Sequence, residues 1–219
     1  MSAPDQSKSF FCTEASPAAM DRYWADGWRH FGILFFRYSS AFHDGKRFTV
    51  LPLRIDLELF APRRSQKRVL AKNNDTEIRL RPSFVDTEKT ALFLHHRRRF
   101  RKDAPSSLDD FLSPDPATIP CRNLELCVYL QSKLLGVTFL DLGATATSAV
   151  YAIFEPTEAK RSLGIFMILE SIEFSRRQGY RYYYPGYAYR EPFTYDYKKN
   201  FAGLEYFDWT GRWCPYVKP

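Results

Sequence analysis

The chain has few of the features that mark metal, membrane or secreted proteins. No two of its four cysteines, Cys12, Cys121, Cys127 and Cys214, form a Cys-x-x-Cys pair. A zinc or iron–sulfur site legible in sequence needs clustered ligands, so no metal is expected and the thiols read as structural or incidental. No apolar run approaches the length of a bilayer span; the longest, around Phe31 to Phe36, is far too short. The opening MSAPDQSKS lacks the apolar core of a signal peptide. A soluble cytoplasmic protein with no membrane partner is therefore expected. No internal repeat or low-complexity tract is visible. Acidic residues are outnumbered, with 25 Asp and Glu against 32 Lys and Arg, a net charge of +7. That excess suits nucleic acid or another anionic partner, although many basic proteins bind neither.

What is abundant is aromatic: 17% of the 219 residues, most of them Phe and Tyr. The densest stretch runs from Tyr182 to Glu205, YYYPGYAYREPFTYDYKKNFAGLE. Tyr182, Tyr183 and Tyr184 favour a pleated, half-buried strand. Pro185-Gly186 then interrupts it, which marks a bulge or the close approach of another backbone. Beyond the break, Tyr187, Tyr189, Tyr195 and Tyr197 alternate with Arg190, Lys198 and Lys199. Phenol rings beside fixed cations can stack on a nucleotide and neutralise its phosphates, and equally can form a core strand followed by a basic loop.

Ahead of this stretch, Ala18 to Trp28 reads as a short helix closed by Gly27, with Met20, Tyr23 and Trp24 on one face. Two β-prone runs follow, Phe31 to Tyr38 and Arg47 to Phe60, joined by a turn at His43-Asp44-Gly45. In the second, Leu53, Ile55, Leu57 and Leu59 alternate with Arg54, Asp56 and Glu58, the pattern of a half-buried strand. Arg63, Arg64, Lys67 and Arg68 then crowd a short helical stretch without acidic partners until Asp75. The local imbalance points to phosphate contact, against the ordinary reading of a solvated face. Thr87 to Lys102 predicts a second basic helix carrying Arg97 and Arg98. Its His95 and His96, with no carboxylate or thiol at ligand spacing, read as surface residues.

Residues 104–120, rich in Pro, Ser and Asp, read as a linker between a region 1–103 and a domain 121–219. The second half predicts strands over Leu124–Leu130, Leu134–Leu142 and Ala149–Phe154, the first two joined as a hairpin through Gln131-Ser132. A helix over Leu163–Arg177 follows, N-capped by Ser162 and stopped by Gly179, burying Ile165, Phe166, Ile168, Leu169 and Ile172.

An order of three strands, a helix and a broken strand is similar to the GNAT-type acyltransferases, whose helix N-terminus holds coenzyme A pyrophosphate. The loop there is Arg161-Ser162-Leu163-Gly164-Ile165-Phe166, in which Phe166 stands where the family has a small residue. A fuller resemblance, over nearly the whole chain, is to the arginyl- and leucyl-tRNA–protein transferases. It rests on Gly27-Trp28-Arg29, Phe31-Gly32, Pro52-Leu53-Arg54, and Arg63-Arg64-Ser65-Gln66-Lys67-Arg68-Val69-Leu70 running into Asn73. In the second half it rests on Ser148-Ala149-Val150-Tyr151 with Phe154 and Pro156, Ser162-Leu163-Gly164, and Tyr182 to Tyr187. It ends on Tyr197-Lys198, Asn200-Phe201 and Glu205.

The resemblance implies an α+β fold: a GNAT-like mixed sheet with flanking helices and a smaller N-terminal α/β part packed against it. It implies an aminoacyltransferase that moves Arg or Leu from aminoacyl-tRNA to the α-amine of an acceptor protein, with no further cofactor. The expected catalytic residues are Asp141, Tyr197 and Lys198; the expected substrate contacts are Tyr184, Gly186, Tyr187 and Asn200. Arg63, Arg64, Lys67, Arg68, Arg97 and Arg98 are expected to meet tRNA. Asp141 has a second reading, as a strand-end surface carboxylate, and the tyrosines as packed core residues. Two other functions stay open: an acetyl-coenzyme A–dependent N-acetyltransferase, and an inactive tRNA-binding relative. The chain departs from the family at Thr194-Tyr195 and Gly203, and in the cysteine clusters that bind iron–sulfur in some branches. Only Cys12 stands in the first cluster's place, with Ser39, Ser40 and His43 in the second's.

Overall fold

The computed structural model describes residues 6–100 and 104–217. In chain order its elements are β1 (Ser7–Phe11), α1 (Pro17–Ala25), β2 (Arg29–Phe31), β3 (Leu34–Tyr38), β4 (Ser40–His43), β5 (Lys46–Asp56), α2 (Arg64–Lys72), β6 (Glu77–Pro82) and α3 (Thr87–Arg97). After residues 104–120 come β7 (Asn123–Leu130), β8 (Lys133–Leu142), β9 (Ala146–Phe154), α4 (Leu163–Arg177), β10 (Tyr182–Tyr189), β11 (Leu204–Phe207) and β12 (Trp213–Pro215). The result is a mixed α+β fold. Its main sheet runs β12-β11-β5-β10-β9-β8-β7-β6, with β4 paired to β5, and a small second sheet runs β1-β3-β2.

The β7 sequence shows why the main sheet is covered on both sides. Leu126 and Val128 pack with Phe166, Leu169 and Ile172 of α4, while Cys127 and Tyr129 pack with Leu92 and Phe93 of α3. A strand buried on both faces reads as a continuous apolar run, as this one does. Strands from both sides of residues 104–120 share the sheet, since β5 lies between β11 and β10. The segment 104–120, expected as a linker, is itself packed: Leu108 and Leu112 are buried, and Ser113 donates to the Ile119 carbonyl.

Several expectations hold, among them α1, α2, the hairpin turn at Asp44-Gly45, the β7–β8 hairpin, and α4. The strand that meets β5 across that turn is β4, however, and not the run Phe31–Tyr38, which pairs within the small sheet. Others are corrected. The run Phe31–Tyr38 is divided between β2 and β3 by a turn at Gly32, whose φ is +49°. The β5 alternation stops at Asp56, which is buried and ion-paired to Arg181, while Leu59 is 66% exposed. Ser162 precedes α4 in a left-handed conformation and makes no side-chain cap. Strand β9 begins three residues before its expected start. The basic helix α3 ends at Arg97, and Arg101 and Lys102, expected within it, lie outside the described residues. His96 is buried against the Phe154 backbone, and burial pulls its pKa down to about 4. His95 is exposed, as expected, yet faces the Glu155 carboxylate at 3.0 Å.

Lys89, read as part of a basic surface helix, is fully enclosed between Asp86 at 2.7 Å and Glu125 at 3.1 Å. Glu125 also accepts from Arg81, joining β6, β7 and α3 through one buried carboxylate. Removing that carboxylate leaves the enclosed ammonium with Asp86 alone and takes the buried partner from Arg81. Glu125→Ala is expected to cost about 3–5 kcal/mol, measured by chemical denaturation, with the midpoint shifting and the slope unchanged.

Candidate active site

Strands β9 and β10 are the parallel pair of the main sheet, and they separate. They are in register only at Tyr182–Ala146, Tyr183–Thr147 and Tyr184–Ser148, although β9 continues to Phe154 and β10 to Tyr189. On its other edge β10 pairs with β5, where Tyr183 opposes Ile55 and Gly186 opposes Leu53. Three steps along β10 match two along β5, which is a β-bulge at the Tyr184-Pro185 position. The interruption read from Pro185-Gly186 thus turns β10 away from β9 and opens a cleft.

Two cations enter that cleft. Arg29, on β2, donates to Ser148 Oγ at 2.7 Å, to the Ala149 carbonyl, and to the Val150 carbonyl at 3.3 Å. From the other side Lys198 Nζ donates to the Tyr187 carbonyl at 3.3 Å. Each cation therefore occupies carbonyl groups that the parted strands no longer offer to each other. A Cβ on Gly186, whose φ is +94°, would come within 3.3 Å of Lys198 Nζ and 3.5 Å of Arg29 Cζ. Glycine here meets both a backbone requirement and a space requirement.

Among the described residues, no carboxylate lies within ion-pair distance of Arg29 or Lys198. The neighbouring lysine shows the contrast: Lys199 is buried, ion-paired to Asp196 at 2.8 Å, and holds the Arg190 and Glu191 carbonyls. Both cations are half-buried. Burial, helped by the positive Arg29, pulls the Lys198 pKa down to about 7. Burial also lowers Arg29 from its ordinary value, a shift opposed by Tyr187 and Asp141, and a guanidinium remains charged. The phenols nearby move the other way. Burial raises Tyr197 to about 12, and raises Tyr187, Tyr151 and Tyr195. At neutral pH they are hydrogen-bond donors and not bases, so Lys198 is the cleft group poised for proton transfer.

The other expected site residues are distributed around this centre. Tyr197 lies beside Lys198 on the 3-10 turn Asp196–Asn200 and packs against the main core. Asn200, on the same turn, offers its carbonyl to Gln66 of α2 at 3.3 Å. Tyr187 donates its hydroxyl to the Gly27 carbonyl at 2.6 Å. Tyr184 is buried against Trp24 and Trp213. Asp141 is not a surface carboxylate: it is 1% exposed, with Asn123 and His30 each 2.7 Å from one of its oxygens. Arg63, Arg64, Lys67 and Arg68 are exposed on or beside α2, and Arg98 is exposed with Arg97 half-buried at the end of α3. The coenzyme A reading gains no site: Phe166 is buried, and Arg161 is committed to Asp75 and Glu158.

Sequence reasoning gave Arg29 no role beyond its place in Gly27-Trp28-Arg29, because its partners lie 119 to 121 residues away. Arg99, which sits 4.3 Å over the Phe154 ring and adds its charge to the field at Tyr195 and Tyr197, was likewise missed. The iron–sulfur cluster of some relatives does not fit these residues. Among the described residues, the one close grouping of metal-ligand side chains contains a single cysteine.

The lowered Lys198 pKa has a stability consequence. The unfolded chain holds this proton up to about 10.4, whereas the fold releases it near 7. Between these values the unfolded state binds the extra proton, so the contribution of Lys198 to stability improves as pH rises and is worst at and below 7. Lys198→Met is expected to raise the melting temperature at about pH 6 and to lose that gain by about pH 10, measured by calorimetry.

Comparison with known proteins identifies the family of the chain. The family model for the arginine-tRNA-protein transferase C terminus matches residues 88–208. The aspartate/glutamate leucyltransferase of Chromohalobacter salexigens is 35% identical over 163 residues, covering 72% of this chain and 66% of that protein. That of Saccharophagus degradans is 32% identical over 170 residues, covering 76% and 72%. That of Leptospira interrogans is 30% identical over 194 residues, covering 86% and 74%. The chain thus spans about two thirds to three quarters of the length of these curated relatives. With the family model matching more than half of its residues, and these identities sustained across both halves, the chain belongs to the arginine-tRNA–protein transferase family.

Proposed function

We propose that the protein is an aminoacyl-tRNA–protein transferase that moves leucine from its tRNA to the α-amine of a protein beginning with Asp or Glu. The donor and acceptor follow the names of the leucyltransferase relatives. The observation that carries the reading is the cleft between β9 and β10, lined by two cations that meet only neutral partners. In this reading the splayed parallel pair makes the sheet GNAT-like, with the acyl group seated where the strands part.

The aminoacyl ester is already activated. The acceptor nitrogen attacks the ester carbonyl carbon, an amide bond forms, and the bond to the terminal ribose oxygen breaks. Neutral Lys198 takes the proton that the amine sheds and returns it to the leaving ribose oxygen. A base with a pKa near the working pH is suited to both transfers. Burial keeps Lys198 in that range, helped by the adjacent positive charge of Arg29, whose field attracts the acceptor's acidic side chain. Tyr197 serves as a hydrogen-bond donor. The rings of Tyr184 and Tyr187 brace the bulge, while the backbone at Gly186 and the side chain of Asn200 border the substrates. Asp141 acts from behind β9 by holding His30, the neighbour of Arg29 on β2.

The tRNA body approaches along two basic surfaces, α2 with Arg63, Arg64, Lys67 and Arg68, and the end of α3 with Arg97 and Arg98. Gln66 ties the first surface to the Lys198 turn through Asn200. Replacing Arg64, Lys67 and Arg68 by Gln is expected to weaken tRNA binding and to flatten the slope of log K against log salt by about 2–3, read by filter binding across a salt series.

Incubation with leucyl-tRNA and peptides beginning with Asp or Glu tests the activity, and absence of leucine transfer to either refutes it. Its pH dependence tests the roles. With Lys198 required neutral, kcat/KM is expected to rise with pH through an enzyme inflection at about 7 and to level off only once the acceptor amine is also neutral. The acceptor amine titrates independently at roughly 7.7–8.0. Arg29→Gln removes the cation beside Lys198 and is expected to move the enzyme's inflection upward while leaving that of the amine in place.

A further inference from the structure

Behind the cleft, on the far side of β9, lies a second cluster whose side chains do not touch the reacting groups. His30 of β2, Cys121 just before β7, and Asp141 of β8 are all buried, and their ligand-type atoms lie within 4.8 Å of one another. These residues are far apart in sequence and come from three separate segments. We propose that His30 Nε2, Cys121 Sγ and an Asp141 oxygen bind one divalent transition-metal ion of the zinc class.

The surroundings are those a metal site requires. A ligating histidine usually donates its other ring nitrogen to a backbone carbonyl or carboxylate, which fixes the ring and its tautomer. His30 Nδ1 lies 2.8 Å from the Gly32 carbonyl, so it carries the proton and Nε2 is turned towards Asp141. The ligating carboxylate is similarly held. Asp141 Oδ1 accepts from Asn123 Nδ2 at 2.7 Å, and the Asn123 carbonyl oxygen accepts in turn from Ser83 Oγ. A cavity of about 10 Å³, room for one water, borders His30, Asp141, Asn123 and Ser113. Cys121 does not line this cavity; a water held there beside His30 and Asp141 would complete a tetrahedral centre whose protein ligands are one sulfur, one nitrogen and one oxygen.

Without an ion the cluster is awkward. His30 presents both ring nitrogens to acceptors, so a second proton must lie between Nε2 and Asp141 in a buried space. Cys121 faces the same carboxylate, and burial together with that carboxylate pushes its thiol above the usual range. A divalent ion replaces the proton on Nε2 and the proton on Sγ, both released to solvent, and joins the three ligands directly. A tetrahedral zinc centre sets ligand atoms about 3.5 Å apart, so the 2.7 Å His30–Asp141 pair need open by only about 1 Å. The ion would clamp β2 to β8, and β2 carries Arg29 into the cleft one residue before His30. The inference stands independently of the transfer reaction.

Cobalt(II) reconstitution of the full chain, stripped of metal, tests it. One equivalent per chain is expected, with a thiolate-to-cobalt charge-transfer band and the visible bands of tetrahedral coordination. Cys121→Ser is expected to abolish the charge-transfer band, and Cys127→Ser, whose sulfur is buried in a different part of the core, to retain it. X-ray absorption on wild-type protein loaded with zinc avoids any folding defect of the variants. One sulfur at about 2.3 Å with nitrogen or oxygen at about 2.0–2.2 Å is expected. Substoichiometric cobalt, a band that survives Cys121→Ser, or zinc without a sulfur neighbour each overturns the proposal.

Discussion

The unmade hydrogen bonds between β9 and β10 are the constraint on which the rest of the structure depends. Two parallel strands that separate beyond Tyr184 and Ser148 leave backbone carbonyls facing a partly dry gap. An unsatisfied buried carbonyl is costly, and here the partners come from outside the sheet. Arg29 covers Ala149 and Val150 on one wall, and Lys198 covers Tyr187 on the other. Filling the gap with cations leaves two positive charges side by side without a carboxylate. That arrangement lowers stability in the free protein and, in the proposed reaction, readies the cleft for an acidic, acyl-bearing pair of substrates. Unpaired charge concentrated at one place is characteristic of functional sites.

The peripheral elements can be understood by what they deliver to this gap. The small sheet β1-β3-β2 carries Arg29 and anchors it through His30, whose ring stacks on Phe35 and meets Asp141. The 3-10 turn Asp196–Asn200 carries Lys198, and Lys199 on the same turn locks it by its ion pair with Asp196. Arg54 holds the neighbouring strands in line. It lies between the rings of Tyr182 and Trp213 at 4.1 and 4.4 Å and is ion-paired to Glu205 at 2.6 Å. The motif pieces Pro52-Leu53-Arg54 and Glu205 thus brace the sheet beside the cleft, and Gly27, Gly186 and Tyr187 shape its walls.

Much of this was legible in the sequence, for identifiable reasons. The apolar runs of β7 and β8, the apolar stripe of α4 and the Asp44-Gly45 turn are local patterns, set by composition, by a period of 3.6 and by a fixed turn chemistry. Pro185-Gly186 announced the break because neither residue suits a strand interior. Lys198 stood out through its place among aromatics. Long-range pairing was not legible. No local pattern tells that Arg29 reaches Ser148, that Lys89 is enclosed by Glu125, or that His30 and Cys121 meet at Asp141. Cysteine spacing, read along the chain, argued against any ligand cluster, whereas the fold assembles one from three segments. His96 was misread for the same reason. Charge predicts exposure only until tertiary packing supplies a partner or a covering wall.

The central claim is that Lys198 is a base tuned by burial and by Arg29. Its most direct test is an NMR titration of the lysine side chains, with the Lys198 signal assigned by its loss in a substituted chain. The account predicts one lysine that titrates at about 7, apart from the rest. A Lys198 that titrates with the others, near 10.4, would contradict it.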